Sequence, residues 1–174
     1  VVIICDGQFP RTEYPRYLIK SADFLFFFDG ALVKYLRHSI SIFGEERTPD
    51  LVIGDMDTLS EKMQTRYGDI IVKVEEQEHN DQTKAVRWAI GNIKDISHIY
   101  ILGATGKRVD HTIGNASLLM EYTRMFDLEG LGINIEMVSD TGTAFAVNDT
   151  FEMDCGFGRQ VSIFSPDNSL KIKS

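Results

Sequence analysis

This sequence of 174 residues has few cysteines, no long apolar runs and no excess of positive charge. Its two cysteines, Cys5 and Cys155, form no Cys-x-x-Cys pair, which excludes a structural zinc cluster. So few cysteines are typical of a reducing compartment, and we therefore expect a cytoplasmic protein. The formal net charge is −8, and apart from Lys107 and Arg108 the basic residues are dispersed along the chain. This distribution argues against a nucleic-acid-binding surface.

No apolar run approaches the roughly 20 residues that a membrane-spanning helix needs, and Asp6 interrupts the apolar start at residues 1–5. The sequence therefore predicts neither a membrane span nor a signal peptide. Because the chain begins at Val1 without an initiator methionine, we expect further residues before it in the intact protein.

Short, continuous apolar segments that end in Gly or Asp alternate with segments of helical character. Continuous rather than alternating hydrophobicity indicates strands that are buried on both faces, as in a parallel sheet covered by helices. Strands are predicted at 1–5, 24–28, 51–53, 70–74, 99–102 and 133–138, and helices at 31–43, 59–67, 81–93 and 110–126. This alternation predicts an α/β fold with a parallel, Rossmann-like sheet. In such sheets ligands bind beyond the carboxyl ends of the strands.

The sequence changes character after Gly142, where short possible strands are separated by turn residues. These strands are predicted at 143–147, 150–153, 160–164 and 170–173. We expect residues 1–142 to form an α/β catalytic domain and residues 143–174 to begin a small all-β sandwich domain. Because so few residues cannot close a sandwich, we expect more chain after Ser174.

Residues 103–115 form a glycine-containing basic segment between a predicted strand and a predicted helix; we call residues 103–108 the glycine turn. Gly103 and Gly106 let backbone amides approach an anion, Lys107 and Arg108 add positive charge, and a helix starts near Asp110. This combination is typical of a phosphate site. The spacing does not match a P-loop, and a plain strand-to-helix turn whose glycines serve only geometry is the alternative.

Acidic side chains follow two other predicted strands. Asp55 and Asp57 come directly after the strand at 51–53, and Asp81 stands between a strand and a helix. Carboxylates that converge at one sheet edge are suitable oxygen ligands for Mg²⁺. The alternative is that these acids are turn formers or helix N-caps.

No Ser or Cys nucleophile is evident, and His111 is either a general base or an orienting residue at a helix start. The acids and the glycine turn together predict metal-assisted transfer of a phosphate-containing group from a nucleotide. In this interpretation Arg108 or Lys107 offsets the charge that develops during transfer.

Four segments of the chain, in order, resemble motifs of the thiamin pyrophosphokinase family. Residues 29–33 loosely resemble Asp-Gly-Gly-Ala-Asn, 54–58 resemble Gly-Asp-Phe-Asp-Ser, and 80–85 resemble Thr-Asp-x-x-Lys-Ala. Residues 103–115 resemble Gly-x-x-Gly-Gly-Arg-x-Asp-His-x-x-x-Asn, which is the most specific of the four. The chain departs from these motifs at three positions. Val33 replaces Asn, Asn80 replaces Thr, and Lys107 replaces the second Gly of the Gly-Gly pair in the motif of the glycine turn.

The resemblance implies transfer of a pyrophosphoryl group from ATP to the hydroxyl of thiamin, with Mg²⁺, to give thiamin diphosphate and AMP. It implies catalytic roles for Asp55, Asp57, Asp81 and Arg108, the three acids being the metal ligands. The implied nucleotide site consists of Asp29, Gly30, Gln77, Thr105, Gly106, Lys107, Arg108, Asp110, His111 and Asn115.

The family architecture implies an α/β domain followed by a β-sandwich, in a homodimer that holds thiamin between its subunits. The implied partners are thus ATP, thiamin and a second copy of the chain, with no nucleic acid and no membrane. Two other functions remain open: a nucleotide-binding regulator without catalysis, and a magnesium-dependent nucleotide phosphohydrolase that uses water as acceptor.

Overall fold

A computed structural model of the chain describes residues 1–74 and 78–167. Within them, seven strands form one sheet: β1 (Val2–Ile4), β2 (Leu25–Phe28), β3 (Leu51–Gly54), β4 (Ile71–Lys73), β5 (His98–Leu102), β6 (Asn134–Val138) and β7 (Thr143–Phe145). Their order across the sheet is β4-β3-β2-β1-β5-β6-β7. Strands β1 to β6 pair in parallel, and β7 runs antiparallel to β6. The predicted parallel sheet is confirmed, and each of its six predicted strands agrees to within one residue at either end.

Helices connect the strands: α1 (Glu13–Ser21), α2 (Asp29–Phe43), α3 (Glu61–Tyr67), α4 (Asp81–Asn92), α5 (Val109–Met125) and α6 (Leu128–Leu131). The four predicted helices, α2 to α5, lie within two residues of their predicted bounds. Helices α1 and α6 were not predicted from the sequence. In α1, Pro15 occupies the first turn, where proline is tolerated because the first N–H groups of a helix have no acceptor within it.

The sheet is covered on both faces, which explains the continuous apolar runs. On one face Ile3 and Phe26 pack with Val86 of α4 and Tyr122 of α5. On the other face lies a second cluster, in which strand residues pack with α1, α2 and α3; it includes Ile4, Phe27, Ile19, Leu32 and Tyr67. Strand β1 is buried along its whole length because it lies between two parallel neighbours and under both helix layers.

The chain changes direction in the sheet at β1. Strands β2, β3 and β4 extend to one side of it, whereas β5 and β6 extend to the other. Residue Ile4 of β1 therefore pairs with Phe27 of β2 and with Leu102 of β5. At such a switch point the connections leave in opposite directions and open a crevice at the carboxyl ends of the strands. The segments that the sequence singled out for chemistry lie at this edge.

The segment predicted to begin a second domain differs from expectation at its start. Thr143–Phe145 pairs with β6 and thereby extends the α/β sheet, because a tight turn in which Ser139 N–H donates to Gly142 O returns the chain. Residues 146–167 contain neither helix nor strand, so the strands predicted at 150–153 and 160–164 are absent. The strand predicted at 170–173 lies outside the described residues. The second all-β domain and its boundary at 142 stay predictions.

Across residues 1–74 and 78–167, no helix has the length and apolar character needed to cross a membrane.

Candidate active site

The glycine turn lies directly against the turn that follows β1. Gly7 N–H donates to Gly103 O and Gln8 N–H donates to Thr105 O, each over 2.7 Å. A Cβ atom on Gly7 would overlap both of these carbonyl oxygens, so only glycine permits this approach. Gly103 and Gly106 have φ values of +64° and +95°, which favour glycine. The two turns thus form one wall of the crevice between β1 and β5.

The start of α5 leaves backbone donors available at the end of the glycine turn. Its N-cap is Arg108, whose side chain makes no capping hydrogen bond. The N-cap side chain thus satisfies none of the first N–H groups of this 17-residue helix, and His111 N–H is engaged by the Asp110 carboxylate, so the remaining donors favour an anion there. The exposed His111 lies in the same first turn. This geometry agrees with the predicted phosphate site.

Arg108 is paired within its own segment. Its Nε donates to Asp110 Oδ1 over 3.1 Å, and its Nη2 donates to Asp110 Oδ2. The hydrogen bonds and charge of Arg108 lower the pKa of Asp110 to about 2. Both side chains are exposed, so a bound phosphate can exchange with the Asp110 carboxylate for the guanidinium.

Asn115 braces the glycine turn from inside. Its side-chain Nδ2 donates to Ala104 O over 2.8 Å, and its backbone carbonyl oxygen accepts from Gln82 Nε2 over 3.2 Å. Gln82 also donates to the Tyr122 hydroxyl, and burial raises the pKa of Tyr122 to about 12. This buried network holds the start of α4, and hence Asp81, beside α5. Asn115 therefore positions the turn in this structure, and its place in the nucleotide site, which the resemblance implies, stays a prediction.

The turn after β3 directs two acids outward around a buried methionine. Asp57 N–H donates to Asp55 Oδ1 over 3.1 Å, and both acids are exposed. Met56 between them is buried and has a φ of +70°, which is rare for a residue with a long side chain. The interpretation of Asp55 as a turn former is confirmed, but its carboxylate remains accessible.

The helix N-cap alternative for the other two acids is wrong. Ser60 caps α3, since its hydroxyl accepts from Met63 N, and Asn80 caps α4, since its Oδ1 accepts from Thr83 N over 2.9 Å. Each of these two helices is thus capped by an uncharged side chain and not by one of the acids. Asp57 and Asp81 remain available for other contacts, although Asp81 lies 3.4 Å from the ammonium of Lys84.

Asp29 is a buried carboxylate between the other acids. Its Oδ1 accepts from Gly30 N–H, whereas its Oδ2 has no hydrogen-bond partner among the described residues. Burial raises the pKa of Asp29; hydrogen bonding by Gly30 N–H and by the Thr58 side chain lowers it, the negative charges of Asp55 and Asp81 raise it, and the net shift is upward. Asp55 and Asp81 are therefore near enough to act on Asp29 at this end of the sheet. A buried carboxylate oxygen without a partner is suited to a cation or a donor from a ligand.

The described residues contain no group of three His, Cys, Asp or Glu side chains placed to hold a metal ion. Mg²⁺ usually takes only one or two carboxylates and completes its shell with water and substrate phosphate. The exposed Asp55 and Asp57 and the unpartnered Asp29 oxygen fit that donor set. The metal assignments of Asp55, Asp57 and Asp81 stay predictions, and Gln77 lies outside the described residues.

Sequence reasoning missed two acids that shape the site. Asp6, which follows β1, binds Lys34 of α2 and Lys107 of the glycine turn. Asp140, which follows β6, accepts hydrogen bonds from Arg11 N–H, over 2.8 Å, and from the backbone and side chain of Thr12. The sequence did contain a signal for both acids, because each Asp comes two residues after the end of an apolar strand. Their partners, however, are remote in sequence.

A cleft of about 370 Å³ opens beside these residues. It is lined by Gly7, Gln8, Phe9, Pro10, Arg11, Lys34, His38, Gly106 and Lys107. The rings of Phe9 and His38 stack at one side, with centroids 4.7 Å apart. The cleft thus joins the crevice at the switch point to the glycine turn.

The described acids and turn can be compared with known proteins. The model of the family described as "Thiamin pyrophosphokinase, catalytic domain" matches residues 15–129. Thiamine pyrophosphokinase 1 of rice (Oryza sativa subsp. japonica) is 23% identical over 121 residues, which are 65% of this chain and 43% of that protein.

Solved structures are also similar. Thiamin pyrophosphokinase from Geobacillus thermodenitrificans is 26% identical, with a TM-score of 0.54 over 79% of this chain and 59% of that chain. Yeast thiamin pyrophosphokinase has a TM-score of 0.58 over 79% of this chain and 57% of that chain, but at 19% identity it supports the fold alone.

This chain spans less than half the length of the rice relative and about three fifths of the two solved chains. The family match covers β2 to β5, α2 to α5 and all four segments that the sequence singled out. Together with the glycine turn and the acids at the sheet edge, it establishes that the chain belongs to the thiamin pyrophosphokinase family.

Proposed function

We propose that this chain supplies the catalytic part of an enzyme that transfers the pyrophosphoryl group of ATP to the hydroxyl of thiamin. The products are thiamin diphosphate and AMP. The observation that carries the proposal is the position of the glycine turn and the acids at one sheet edge, in a chain that belongs to this family. The finer assignments below rest on that geometry and on the resemblance of the motifs.

In this proposal the glycine turn and the start of α5 bind the phosphates of ATP. N–H groups of the first helical turn donate hydrogen bonds to the phosphates, and Thr105, Gly106 and Lys107 precede them in the glycine turn. Arg108 exchanges Asp110 for a phosphate oxygen and stabilises the charge that develops on the leaving AMP. His111 contributes from the same helical turn.

Asp55, Asp57 and Asp81 would hold Mg²⁺ together with the phosphates, and Gln77 would lie beside them. A bound Mg²⁺ polarises the phosphoryl oxygens and makes phosphorus more electrophilic. Asp29 offers its unpartnered Oδ2 to the same region, and Gly30 allows the backbone to approach. The chemistry is a displacement: the thiamin oxygen forms a bond to the β-phosphorus, the bond from that phosphorus to AMP breaks, and the hydroxyl proton is released.

The remaining expectations concern the whole protein. We propose a β-sandwich domain after the α/β domain, a homodimer with thiamin between subunits, and a cytoplasmic location. Several large apolar side chains in the segment 146–167 support a packing partner for it, since they are more than half exposed: Val147, Phe151, Phe157, Val161, Ile163 and Phe164. Sedimentation of the intact protein tests the dimer, and a monomeric mass would contradict it.

A product analysis tests the reaction itself. The intact protein is incubated with ATP, Mg²⁺ and thiamin, and the nucleotides are separated by chromatography. The proposal predicts AMP in amounts equal to thiamin diphosphate. Release of ADP would contradict pyrophosphoryl transfer, nucleotide cleavage without thiamin would indicate a phosphohydrolase, and nucleotide binding without any product would indicate a regulator.

Replacing Asp57 tests the acidic edge. Asp57→Ala should lower turnover by about 10³-fold or more while the melting temperature changes little, because Asp57 is exposed. Asp69→Ala is the matched control, since Asp69 is exposed and precedes β4, at the opposite edge of the sheet. Wild-type turnover in Asp57→Ala would remove this residue from the site.

A further inference from the structure

One acid, Asp6, joins two lysines that are far apart in the sequence. Lys34 of α2 donates to the Asp6 backbone oxygen over 2.9 Å and also to Asp6 Oδ1. Lys107 of the glycine turn donates to Asp6 Oδ2 over 3.0 Å. Burial opposes ionisation of Asp6, but the hydrogen bonds and charges of the two lysines outweigh it and lower the pKa of Asp6. Asp6 is therefore a fixed anion between two cations.

The two ammonium groups differ in what they leave for a ligand. Lys34 has three protein acceptors, because it also donates to Gly7 O over 3.4 Å, and an ammonium has three protons. Its side chain is 30% exposed. Lys34 is thus saturated, and its role in this arrangement is to fix Asp6.

Lys107 is placed differently. Its side chain is 52% exposed and it lines the cleft of about 370 Å³. Within the described part of the chain it donates a hydrogen bond to Asp6, and its ammonium also lies against that of Lys34, so the two cations are held at one place beside the cleft. Lysine side chains are flexible, so an ammonium held by a fixed carboxylate loses less freedom when it binds.

The charge of the cleft favours an anion. Lys34, Lys107 and Arg11 line the cleft. The carboxylates of Asp6 and of Asp140, which accepts from Gln8 and Arg11, leave an excess of one positive charge there, although the whole chain has a net charge of −8. The Gly30 backbone lies directly against the Asp6 side chain, because a Cβ on Gly30 would lie 2.9 Å from Asp6 Cγ. The glycine of the segment 29–33 thus makes room for the carboxylate that connects the lysines.

We propose that Asp6 and Lys34 are positioning residues that hold the Lys107 ammonium toward this cleft, where Lys107 binds the polyphosphate of the nucleotide. The inference rests on the proposed function for the identity of the nucleotide. It assigns roles to Asp6 and Lys34, which the four motif segments did not identify as site residues. It also gives Lys107, which stands where the motif has glycine, a partner that keeps it in place.

The sign of one substitution separates positioning from simple electrostatics. Removing a negative charge near a bound anion strengthens anion binding if charge alone matters. If Asp6 instead orients Lys107, Asp6→Asn weakens binding, because the ammonium loses its fixed partner. The two explanations therefore predict opposite changes in affinity.

The experiment measures the dissociation constants of ATP and of inorganic tripolyphosphate by calorimetry on the intact protein. We expect Lys107→Met to weaken both ligands about tenfold, the size of one charge-assisted hydrogen bond. Asp6→Asn and Lys34→Met should each weaken the binding of both ligands severalfold, whereas Lys34→Arg, which keeps the positive charge, should bind them nearly as tightly as the wild type. Lys20→Met, at the exposed end of α1, is the matched control and should leave both affinities unchanged.

A double-mutant cycle identifies the route of the effect. If Asp6 acts through Lys107, Asp6→Asn causes no further loss in the Lys107→Met background. Equal losses in both backgrounds, or an Asp6→Asn protein that binds as tightly as the wild type or more tightly, overturn the inference. Melting curves of all variants show whether each is folded.

The outcomes distinguish this inference from the proposed function. A protein that forms no AMP but loses ATP affinity through Asp6→Asn contradicts the proposed function and supports the positioning role. Normal turnover with unchanged affinity in Asp6→Asn supports the proposed function and contradicts the positioning role. A wild-type protein that binds neither ATP nor tripolyphosphate contradicts both.

Discussion

Asp29 shows how a single residue at this site opposes the stability of the fold. Its carboxylate is buried, its Oδ2 lacks a hydrogen-bond partner in the described residues, and Asp55 and Asp81 add negative charge. Burial and these charges raise the pKa of Asp29, so the folded state favours the neutral acid. At neutral pH the ionised form therefore destabilises the protein. Functional sites often keep such residues because a ligand compensates for them.

Asp29→Asn should increase the free energy of unfolding at pH 7 by roughly 0.5–2 kcal/mol, while ATP turnover falls. Because the folded pKa is raised, the destabilisation by wild-type Asp29 grows as pH rises from the unfolded-state pKa to the folded pKa and is complete above it. The gain should therefore vanish in acid, below the pKa of the unfolded state. Urea unfolding across pH measures it, with Asp69→Asn as control. A variant less stable than wild type at pH 7 would contradict this account of Asp29.

At the residue scale, the sequence predicted the types of group at the site better than their partners. Asp55, Asp57 and Asp81 were expected at one sheet edge because parallel strands present their carboxyl ends together, and the structure places them there. The ion pairs of Asp6 were not predicted. Its partners follow it by 28 and 101 residues, and only the folded sheet brings them together.

At the scale of elements, the junction between the turns after β1 and β5 determines the shape of the site. Gly7 N–H and Gln8 N–H donate to Gly103 O and Thr105 O, so the two turns are fixed to each other through backbone atoms. No side chain separates them. A change that pushes the turns apart should therefore affect both the stability of the sheet and the binding of phosphate.

Gly7→Ala tests this junction. The added methyl group overlaps the carbonyl oxygens of Gly103 and Thr105, and we expect a loss of roughly 1–3 kcal/mol in unfolding free energy together with weaker ATP binding. Gly91→Ala in α4 is the control, because its Cβ would meet nothing within 4 Å. A helical Gly→Ala change should stabilise by roughly 0.5–1 kcal/mol. Equal stability effects of the two substitutions would contradict the close junction.

Strands that form continuous apolar runs were predicted well, whereas the short helix α1 was missed. The strands β1 to β6 are continuous apolar runs, and burial on both faces makes that pattern unambiguous. Helix α1 was missed although its buried residues Pro15, Leu18 and Ile19 follow helical spacing, because it has only nine residues and contains a proline. Its N-cap Thr12 makes no side-chain capping hydrogen bond. Its start is fixed instead by Asp140, which accepts from Arg11 and Thr12 across the fold.

At the scale of the whole molecule, strand order is what sequence patterns did not provide. A parallel sheet follows from the alternation of strands and helices, but the position of β1 between β2 and β5 depends on which helices pack on which face. That position creates the crevice in which the glycine turn faces Asp6. The residues of the site were therefore predictable as separate motifs, and their arrangement required the structure.

The C-terminal part illustrates the same limit. Thr143–Phe145 is a short, largely exposed edge strand, and the sequence assigned it to a new domain, whereas it pairs with the neighbouring β6. The large apolar side chains of residues 146–167 remain exposed and support packing against further structure. The β-sandwich and the dimer remain proposals.

The most direct test of the central claim follows the phosphorus atoms. The intact protein is incubated with Mg²⁺, thiamin and ATP that is labelled with radioactive phosphorus at its β position. Pyrophosphoryl transfer moves the β- and γ-phosphates together, so the account predicts that the label appears in thiamin diphosphate and that unlabelled AMP is released. Label that stays in ADP, or that appears in free phosphate or pyrophosphate, would contradict it.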